Sequence, residues 1–176
     1  MFIIAIGLLL IFGGCHGYVS EERILFDFES DSELERLHWR CHTLFSLSNE
    51  HVTHGRSSLR MELYPSDYPG LSLVQKVNDW SSYKTMCFDI FNPEGKEIQV
   101  SVRIDDRKDY PEYEDRYSKS LILRPGVNRI SISMNTFITA GTQRKLNLRK
   151  IYRFFIFMEH LQRKVVLYVD YVRIVR

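Results

Sequence analysis

The sequence predicts an all-β domain in which two antiparallel sheets pack against each other. Short segments of alternating apolar and polar residues recur between turn signals along most of the chain, and this period of two is typical of half-buried strands. The 176 residues, 44% of them hydrophobic, are enough for one well-filled core. We therefore expect a single domain of about ten short strands, arranged as a sandwich rather than a closed barrel.

The strand-like segments are separated by loops and one short helical stretch. The acidic residues 30–37 are expected to form a single helical turn, and Gly55 in the loop 49–58 suits a positive φ. Outside residues 83–106, the alternating segments are 24–29, 39–47, 59–64, 71–77, 117–123, 129–134, 152–159 and 165–174.

Residues 83–106 contain two further alternating runs joined by a polar turn with Pro93 and Gly95, a pattern that predicts a β-hairpin. On such a hairpin Asp89, Arg103 and Asp105 share the face opposite the apolar one. These charges are either a solvated ion network or a polar binding platform.

Charge and motifs restrict the function. The formal net charge is +2, and the basic residues are interspersed with acidic ones, so we expect no nucleic-acid partner. The sequence lacks the GxSxG, HExxH, P-loop and GxGxxG motifs. The acids Asp105 and Glu159 are the pair to consider for glycosidic chemistry, but no motif supports them, and we expect a protein that is not an enzyme.

The N-terminal apolar run, 2–12, is too short to span a membrane and predicts an export signal. Cys15, preceded by two glycines, resembles the lipidated cysteine of a bacterial lipobox. Two alternatives stay open: lipid anchoring at Cys15 in the cell envelope, or secretion after cleavage near Gly14 or Gly17. We expect a signal or lipobox-like segment at 1–15, a linker at 16–23 and the β domain at 24–176, with the membrane contacted only through the N-terminus.

The two other cysteines, Cys41 and Cys87, either form one disulfide in an exported chain or stay as unpaired thiols. The histidine pairs His38/His42 and His51/His54 lack the neighbouring ligands of a zinc motif, so no zinc site is expected.

Several segments, taken in order, carry a family resemblance. They resemble the jelly-roll, galactose-binding-like carbohydrate-binding modules that occur beside or apart from glycoside hydrolases, over most of residues 25–175. The segments are FDFES, EHVTHGRSSLRMEL, DWSSYKTMCFDIFNP, SVRIDDRK, LRPGVNRISISM and LYVDYVRI. The resemblance implies a jelly-roll sandwich and a structural calcium ion held by Asp27, Glu29, Asp170 and carbonyls of the HVTHGRSS turn.

The resemblance also implies a poly- or oligosaccharide bound on the concave sheet. The polar candidates on the strands are Asp89, Arg103, Asp105 and Glu159, and the nearby loops contribute Tyr64, Tyr68, Tyr110, Tyr113 and Arg116. Trp39 and Trp80 are expected in the core. The alternative function is a structural or protein-binding lipoprotein of the cell envelope. An exposed apolar patch would favour that alternative, and a polar groove rimmed by tyrosines would favour glycan binding.

Overall fold

The computed structural model describes residues 21–176, and the predicted export signal with Cys15 lies outside the described residues. The described part is all-β, as predicted, with one short helix and three single 3-10 turns. None of its helices has the length and apolar character needed to cross a bilayer. The elements are β1 (Glu22–Phe26), α1 (Asp31–Leu34), β2 (Leu37–Cys41), β3 (Thr43–Ser48), β4 (Ser58–Leu63), β5 (Gly70–Val74), β6 (Thr85–Asn92), β7 (Ile98–Asp105), β8 (Tyr117–Leu123), β9 (Gly126–Ser133), β10 (Arg153–Phe157) and β11 (Val165–Val175).

The strands form two antiparallel sheets in a jelly-roll sandwich. Sheet A has the order β3-β4-β11-β6-β9, with β1 also paired to β11, and sheet B has the order β2-β5-β10-β7-β8. Each sheet buries one apolar face, as the alternation predicts. Phe88 of sheet A and Phe154 of sheet B meet between the sheets with ring centroids 5.1 Å apart. Burial of such side chains, at about 25 cal/mol per Å² of apolar surface, is the main driving force for the packing.

The predicted hairpin over 83–106 is wrong. β6 belongs to sheet A, where it pairs with β11 and β9, whereas β7 belongs to sheet B, where it pairs with β10 and β8. The turn between them crosses from one sheet to the other. Alternation reports only that one side of each strand is buried, and it carries no information about the partner strand.

The alternating segment 39–47 is also not one strand. It divides at His42, where φ is +42°, into β2 of sheet B and β3 of sheet A. The chain therefore turns a corner between the two sheets at this residue. The true hairpins are β3–β4 and β7–β8, joined by the loops 49–57 and 106–116.

The two tryptophans have different environments. Trp80 is fully buried, as predicted, and its Nε1 donates a hydrogen bond to the Val77 carbonyl at 2.9 Å. Trp39 is 37% exposed, so the prediction that it lies in the core is wrong.

The two cysteines of the described residues are free thiols. Cys41 lies on β2 of sheet B and Cys87 on β6 of sheet A. Of the two alternatives left open by the sequence, the structure therefore has the unpaired thiols.

A half-buried carboxyl group stands beside the end of β1. Glu33, on α1, accepts a hydrogen bond from the Phe28 backbone N–H at 2.5 Å. Burial, followed by the negative charge of Asp27, raises the pKa of Glu33 from 4.5 to about 7, against the effect of Arg36. The folded protein therefore holds a proton at Glu33 over a pH range in which the unfolded chain has lost it.

We predict that this proton makes stability fall with rising pH. Between pH 4.5 and about 7 the folded state binds more protons than the unfolded state at Glu33, so the free energy of unfolding decreases as pH rises through this window. In Glu33→Gln this contribution should be absent, and the decrease should be shallower in urea unfolding measured across the window. Glu35→Gln, at an exposed position beside α1, is the control. If the free energy of unfolding changes with pH in the same way in wild type and in Glu33→Gln, the raised pKa is not that of Glu33.

Candidate functional site

The outer face of sheet B, pointing away from the core, carries polar and aromatic side chains at its centre, on β5, β10 and β7. Three strands at its centre are in register. Phe155 on β10 lies between Ser72 on β5 and Arg103 on β7, and Phe157 lies between Gly70 and Ser101. With five strands spaced by about 4.8 Å, the face is about 19 Å wide, wide enough for several sugar rings.

Aromatic rings form one side of this face. The ring of Trp39 meets Phe155 and Phe157 edge to face, with centroids 5.5 and 6.3 Å away. Tyr68 stands 6.5 Å from Phe157 and is 50% exposed. Trp39 and Tyr68 therefore present aromatic surface to solvent, while Phe155, with 1% exposure, packs beneath Trp39.

The backbone at Trp39 is unusual. Its φ is +46°, and the pairing register of β2 with β5 shifts between His38 and Cys41. A bulky residue rarely adopts this left-handed conformation, and a bulge re-aims side chains. Gly70 faces the same area, and a Cβ there would collide with Phe157 and the Ile156 carbonyl oxygen. The glycine and the bulge together allow the rings to converge.

A buried carboxylate organises the charged side of the face. Asp105 accepts bonds from Arg103 Nε and Nη2, each at 2.7 Å, and from Arg153 Nε at 3.2 Å. Its side chain is 0% exposed. The guanidinium of Arg103 lies over the ring of Phe155, with its Cζ 4.5 Å from the ring centroid. Asp105 thus holds Arg103 in a fixed plane at the surface, and its own oxygens are used in doing so.

Arg153 connects sheet B to the loop 106–116, which we call the tyrosine loop. It donates to the carbonyl oxygens of Lys108, Arg107 and Asp109 at 2.8, 2.8 and 3.0 Å. Its guanidinium also lies 4.2 Å from the ring centroid of Tyr110. The loop is therefore fixed to the edge of the face.

Two other predicted residues, Arg116 and Tyr113, belong to the tyrosine loop. Arg116 donates to the Pro111 carbonyl at 2.6 Å. Burial, and then the positive charge of nearby Arg103, lowers the pKa of Arg116. Tyr113 is 65% exposed. The loop thus presents two exposed tyrosines, Tyr110 and Tyr113, and a second arginine close to Arg103.

Glu159 lies just beyond the end of β10. Its carboxylate accepts a hydrogen bond from Ser101 Oγ at 2.7 Å. The side chain belongs to the same face as Arg103, as the sequence predicts, and Ser101 orients one of its oxygens.

Two of the residues predicted to contact a glycan, Asp89 and Tyr64, do not lie on this face. Asp89 is on β6 in sheet A, so it does not share a face with Arg103 and Asp105; its carboxylate is 4.0 Å from Arg173. Tyr64 follows β4 in the same sheet and donates to Glu62 at 2.8 Å. The structure brings together Arg103, Asp105, Glu159 and Tyr68, and joins them to the loop with Tyr113 and Arg116.

Sequence reasoning missed Trp39 and Arg153. Trp39 sits in an alternating segment, which gives no sign of the bulge. Arg153 did leave a signal, since it is a charged residue at the start of the apolar run Phe154–Phe157, and such a residue needs a partner when buried.

Two of the three acids proposed for calcium, Glu29 and Asp170, contact the loop 49–57. Asp170 accepts from the backbone N–H groups of Thr53 and His54 at 2.7 and 2.9 Å. Glu29 accepts from those of Arg56 and Ser57 at 2.7 and 2.8 Å. Gly55 has the predicted positive φ, +72°, and a Cβ there would meet the Glu29 carboxylate.

These hydrogen bonds attach the loop 49–57 to the carboxylates of Glu29 and Asp170. Calcium requires six to eight oxygen ligands, whereas the loop turns N–H donors toward Glu29 and Asp170. Asp27 accepts the Glu29 N–H at 3.4 Å and lies beside Glu33 rather than the loop. Within residues 21–176 no three side chains of His, Cys, Asp or Glu come together to hold a metal ion. The described arrangement does not fit the ion, and calcium binding stays a prediction. Burial raises the pKa of Asp170, against the effect of its N–H donors, while the N–H groups of Arg56 and Ser57 lower that of Glu29.

Solved structures with a similar fold include carbohydrate-binding proteins. A family 11 carbohydrate-binding module from Clostridium thermocellum, in complex with a β-1,3-1,4-mixed-linked tetrasaccharide, has a TM-score of 0.66 and 16% identity over 90% of this chain and 96% of that module. The two chains share the jelly-roll fold. A carbohydrate-binding module of the β-sandwich superfamily has a TM-score of 0.54 and 16% identity over 88% of this chain and 62% of that one.

Enzymes also contain this fold as a part. An exo-β-agarase has a TM-score of 0.70 and 16% identity over 86% of this chain, but this chain spans only 25% of the agarase. No protein-family model and no curated protein matches the sequence. At these identities the comparison establishes the fold alone.

We predict that Asp170→Asn lowers the melting temperature. Its amide group would face N–H donors with an N–H₂ group and leave one of them buried and unpaired, at a cost of about 1–3 kcal/mol. Glu29→Gln should cost less, because that side chain is 26% exposed and water can replace the lost acceptor. Thermal unfolding followed by circular dichroism measures both.

The same thermal unfolding measurements, made with calcium and with a chelator, test whether the ion binds. If the loop keeps the described hydrogen bonds in the presence of calcium, the wild-type melting temperature is equal in the two conditions. A rise with calcium that disappears in Asp170→Asn would show instead that the loop carbonyls turn toward these acids to bind the ion.

Proposed function

We propose that this protein is a non-catalytic carbohydrate-binding module that holds a poly- or oligosaccharide across the outer face of sheet B. The observation that carries the proposal is Trp39. A bulky aromatic ring is exposed at a strained, bulged position, directly beside a row of oriented polar side chains. Backbone strain of this kind is typical of ligand-binding positions.

The chemistry of the face suits sugars. Trp39 and Tyr68 offer flat apolar surfaces to the faces of sugar rings, and Arg103 offers the N–H groups that Asp105 does not use. Glu159, oriented by the Ser101 hydroxyl, adds an exposed acceptor. A few fixed polar groups beside aromatic rings are typical of small-molecule and saccharide sites.

The same geometry argues against hydrolysis at this face. Glycoside hydrolases place two carboxyl groups on either side of the scissile bond. Asp105 is 0% exposed and paired with two arginines, so it is closed to a substrate. Glu159 would have to act without it. Binding is the function that these acids support.

No observation favours the protein-binding alternative. The large apolar side chains that are exposed lie on separate strands of both sheets, among them Leu44 on β3, Ile122 on β8 and Val127 on β9. Scattered apolar residues of this kind are ordinary at protein surfaces.

We predict that Trp39→Ala weakens glycan binding strongly while leaving the fold intact. Central aromatic contacts of binding sites contribute about 2 kcal/mol, roughly 30-fold in affinity. A glycan array identifies the ligand, and isothermal titration calorimetry measures the change. Tyr64→Ala removes an aromatic ring from sheet A and should leave the affinity unchanged. Equal affinity in wild type and Trp39→Ala would reject this face.

Asp105→Ala should behave differently, because it leaves two arginines without their buried partner. The expected cost is about 3–5 kcal/mol of folding stability, measured by urea unfolding, together with loss of binding. Full stability in this variant would show that the arginines find other partners and that Asp105 is available for direct contact.

We also propose that the protein is exported, on the basis of the short apolar run before Cys15. Mass spectrometry of the protein purified from its native source should find the residues before Cys15 or Gly17 removed. A diacylglyceryl mass on Cys15 would identify the envelope-anchored form, and its absence from a cleaved protein the secreted form. An intact Met1 would contradict export.

A further inference from the structure

A polar cleft lies next to the tyrosine loop. It is a cleft of about 320 Å³ between the start of this loop and the segment 144–152 that leads into β10. Four of its lining residues are cationic and two are acidic. The cations are Arg107, Lys108, Arg144 and Lys150, and the acids are Asp106 and Asp109. Positive charge is therefore in excess.

The two arginines are already neutralised by protein carboxylates. Arg144 binds Asp106 through both Nη atoms, at 2.5 and 3.0 Å, and its Nε lies 2.9 Å from Asp115. Arg107 Nε lies 2.9 Å from the second oxygen of Asp115. Although burial acts to raise the pKa of Asp106, Arg144 and the Asn147 N–H lower it overall. These ion pairs hold the two arginine side chains in place along one side of the cleft.

The two lysines are left for a ligand. Among the ion pairs of residues 21–176, neither Lys108 nor Lys150 has a carboxylate partner. Both are exposed and line the same cleft. Asp109 is the one lining acid outside the arginine network, so the free charge at the cleft is positive.

The cleft is continuous with the glycan face through one loop. Arg153 donates to the carbonyl oxygens of Arg107, Lys108 and Asp109, which border the cleft, and its guanidinium lies on Tyr110, which borders the face. Tyr110 and the cleft-lining residues Arg107, Lys108 and Asp109 are thus held by the same guanidinium, so the face and the cleft adjoin at the tyrosine loop.

We propose that this cleft binds an anionic substituent, a carboxylate or a sulfate group, of the glycan. The inference rests on the proposed function of the outer face of sheet B and narrows its ligand to acidic polysaccharides. A neutral sugar has no group that matches two unpaired ammonium ions. A carboxylate or sulfate does, and the compact charge of lysine suits such contacts.

The test compares matched ligands that differ only in charge. Two pairs serve: oligogalacturonate with its methyl ester, and sulfated with unsulfated agaro-oligosaccharide. We expect the charged member of at least one pair to bind more tightly at low ionic strength and to lose this advantage at high salt. In the double variant Lys108→Ala/Lys150→Ala, affinity for that ligand should fall roughly two- to tenfold, as for exposed ion pairs, with no change for its neutral partner.

A control variant removes the same charge elsewhere. Lys96→Ala/Arg124→Ala changes two exposed cations at the opposite end of β7 and should bind both members of a pair like wild type. Equal losses in the two double variants would show a general effect of net charge and overturn the proposal. If inorganic sulfate binds in the cleft but the charged glycan is not preferred over its neutral partner, the cleft is a site for a free anion. That result would overturn the proposal as well.

The outcomes separate the two proposals. If neutral glycans bind and Trp39→Ala abolishes this binding, but neither charged ligand is preferred, the outer face of sheet B is a glycan site and the cleft is not part of it. If no glycan binds, charged or neutral, both proposals are wrong.

Discussion

The buried carboxylate of Asp105 is the charge on which the candidate site depends. A fully buried anion is tolerated only with close cationic partners, and Asp105 has two, Arg103 and Arg153. The Arg103 guanidinium is thereby held over the ring of Phe155 at the centre of the face. The second is held at the sheet edge, where its remaining N–H groups bind the tyrosine loop. One buried charge thus positions both the floor and the rim of the site.

The two loops that join true hairpins are anchored by interactions of opposite polarity. In the loop 49–57 the carboxylates of Glu29 and Asp170 accept backbone N–H groups. In the tyrosine loop the guanidinium of Arg153 donates to backbone carbonyls. Both arrangements supply partners that a loop lacks when it leaves the sheet ladder. Side chains on the strands or directly after them thus determine where the loop backbones lie, and in the tyrosine loop this rigidity preorganises the rim of the candidate site.

The predictions made from individual residues succeeded where the cause is local. Alternation identified the apolar inner faces, Gly55 has the positive φ expected of it, and the acidic stretch after β1 forms one helical turn. Arg103, Asp105 and Glu159 share a face because strand periodicity places their side chains on the outer side. The prediction failed for Asp89, because its membership of that face depended on a pairing of β6 with β7 that does not exist.

The sequence by itself determined that this chain is an all-β domain with one buried face per strand, since that follows from a period of two and from the removal of apolar surface from water. Only the tertiary structure decided which strand lies beside which, and therefore which polar side chains meet. In a jelly roll most consecutive strands cross to the opposite sheet, so the contacts that build the face join residues far apart in the chain. Trp39 shows the consequence: its segment alternates like a core strand, and a bulge against β5 exposes its ring on the outer face of sheet B.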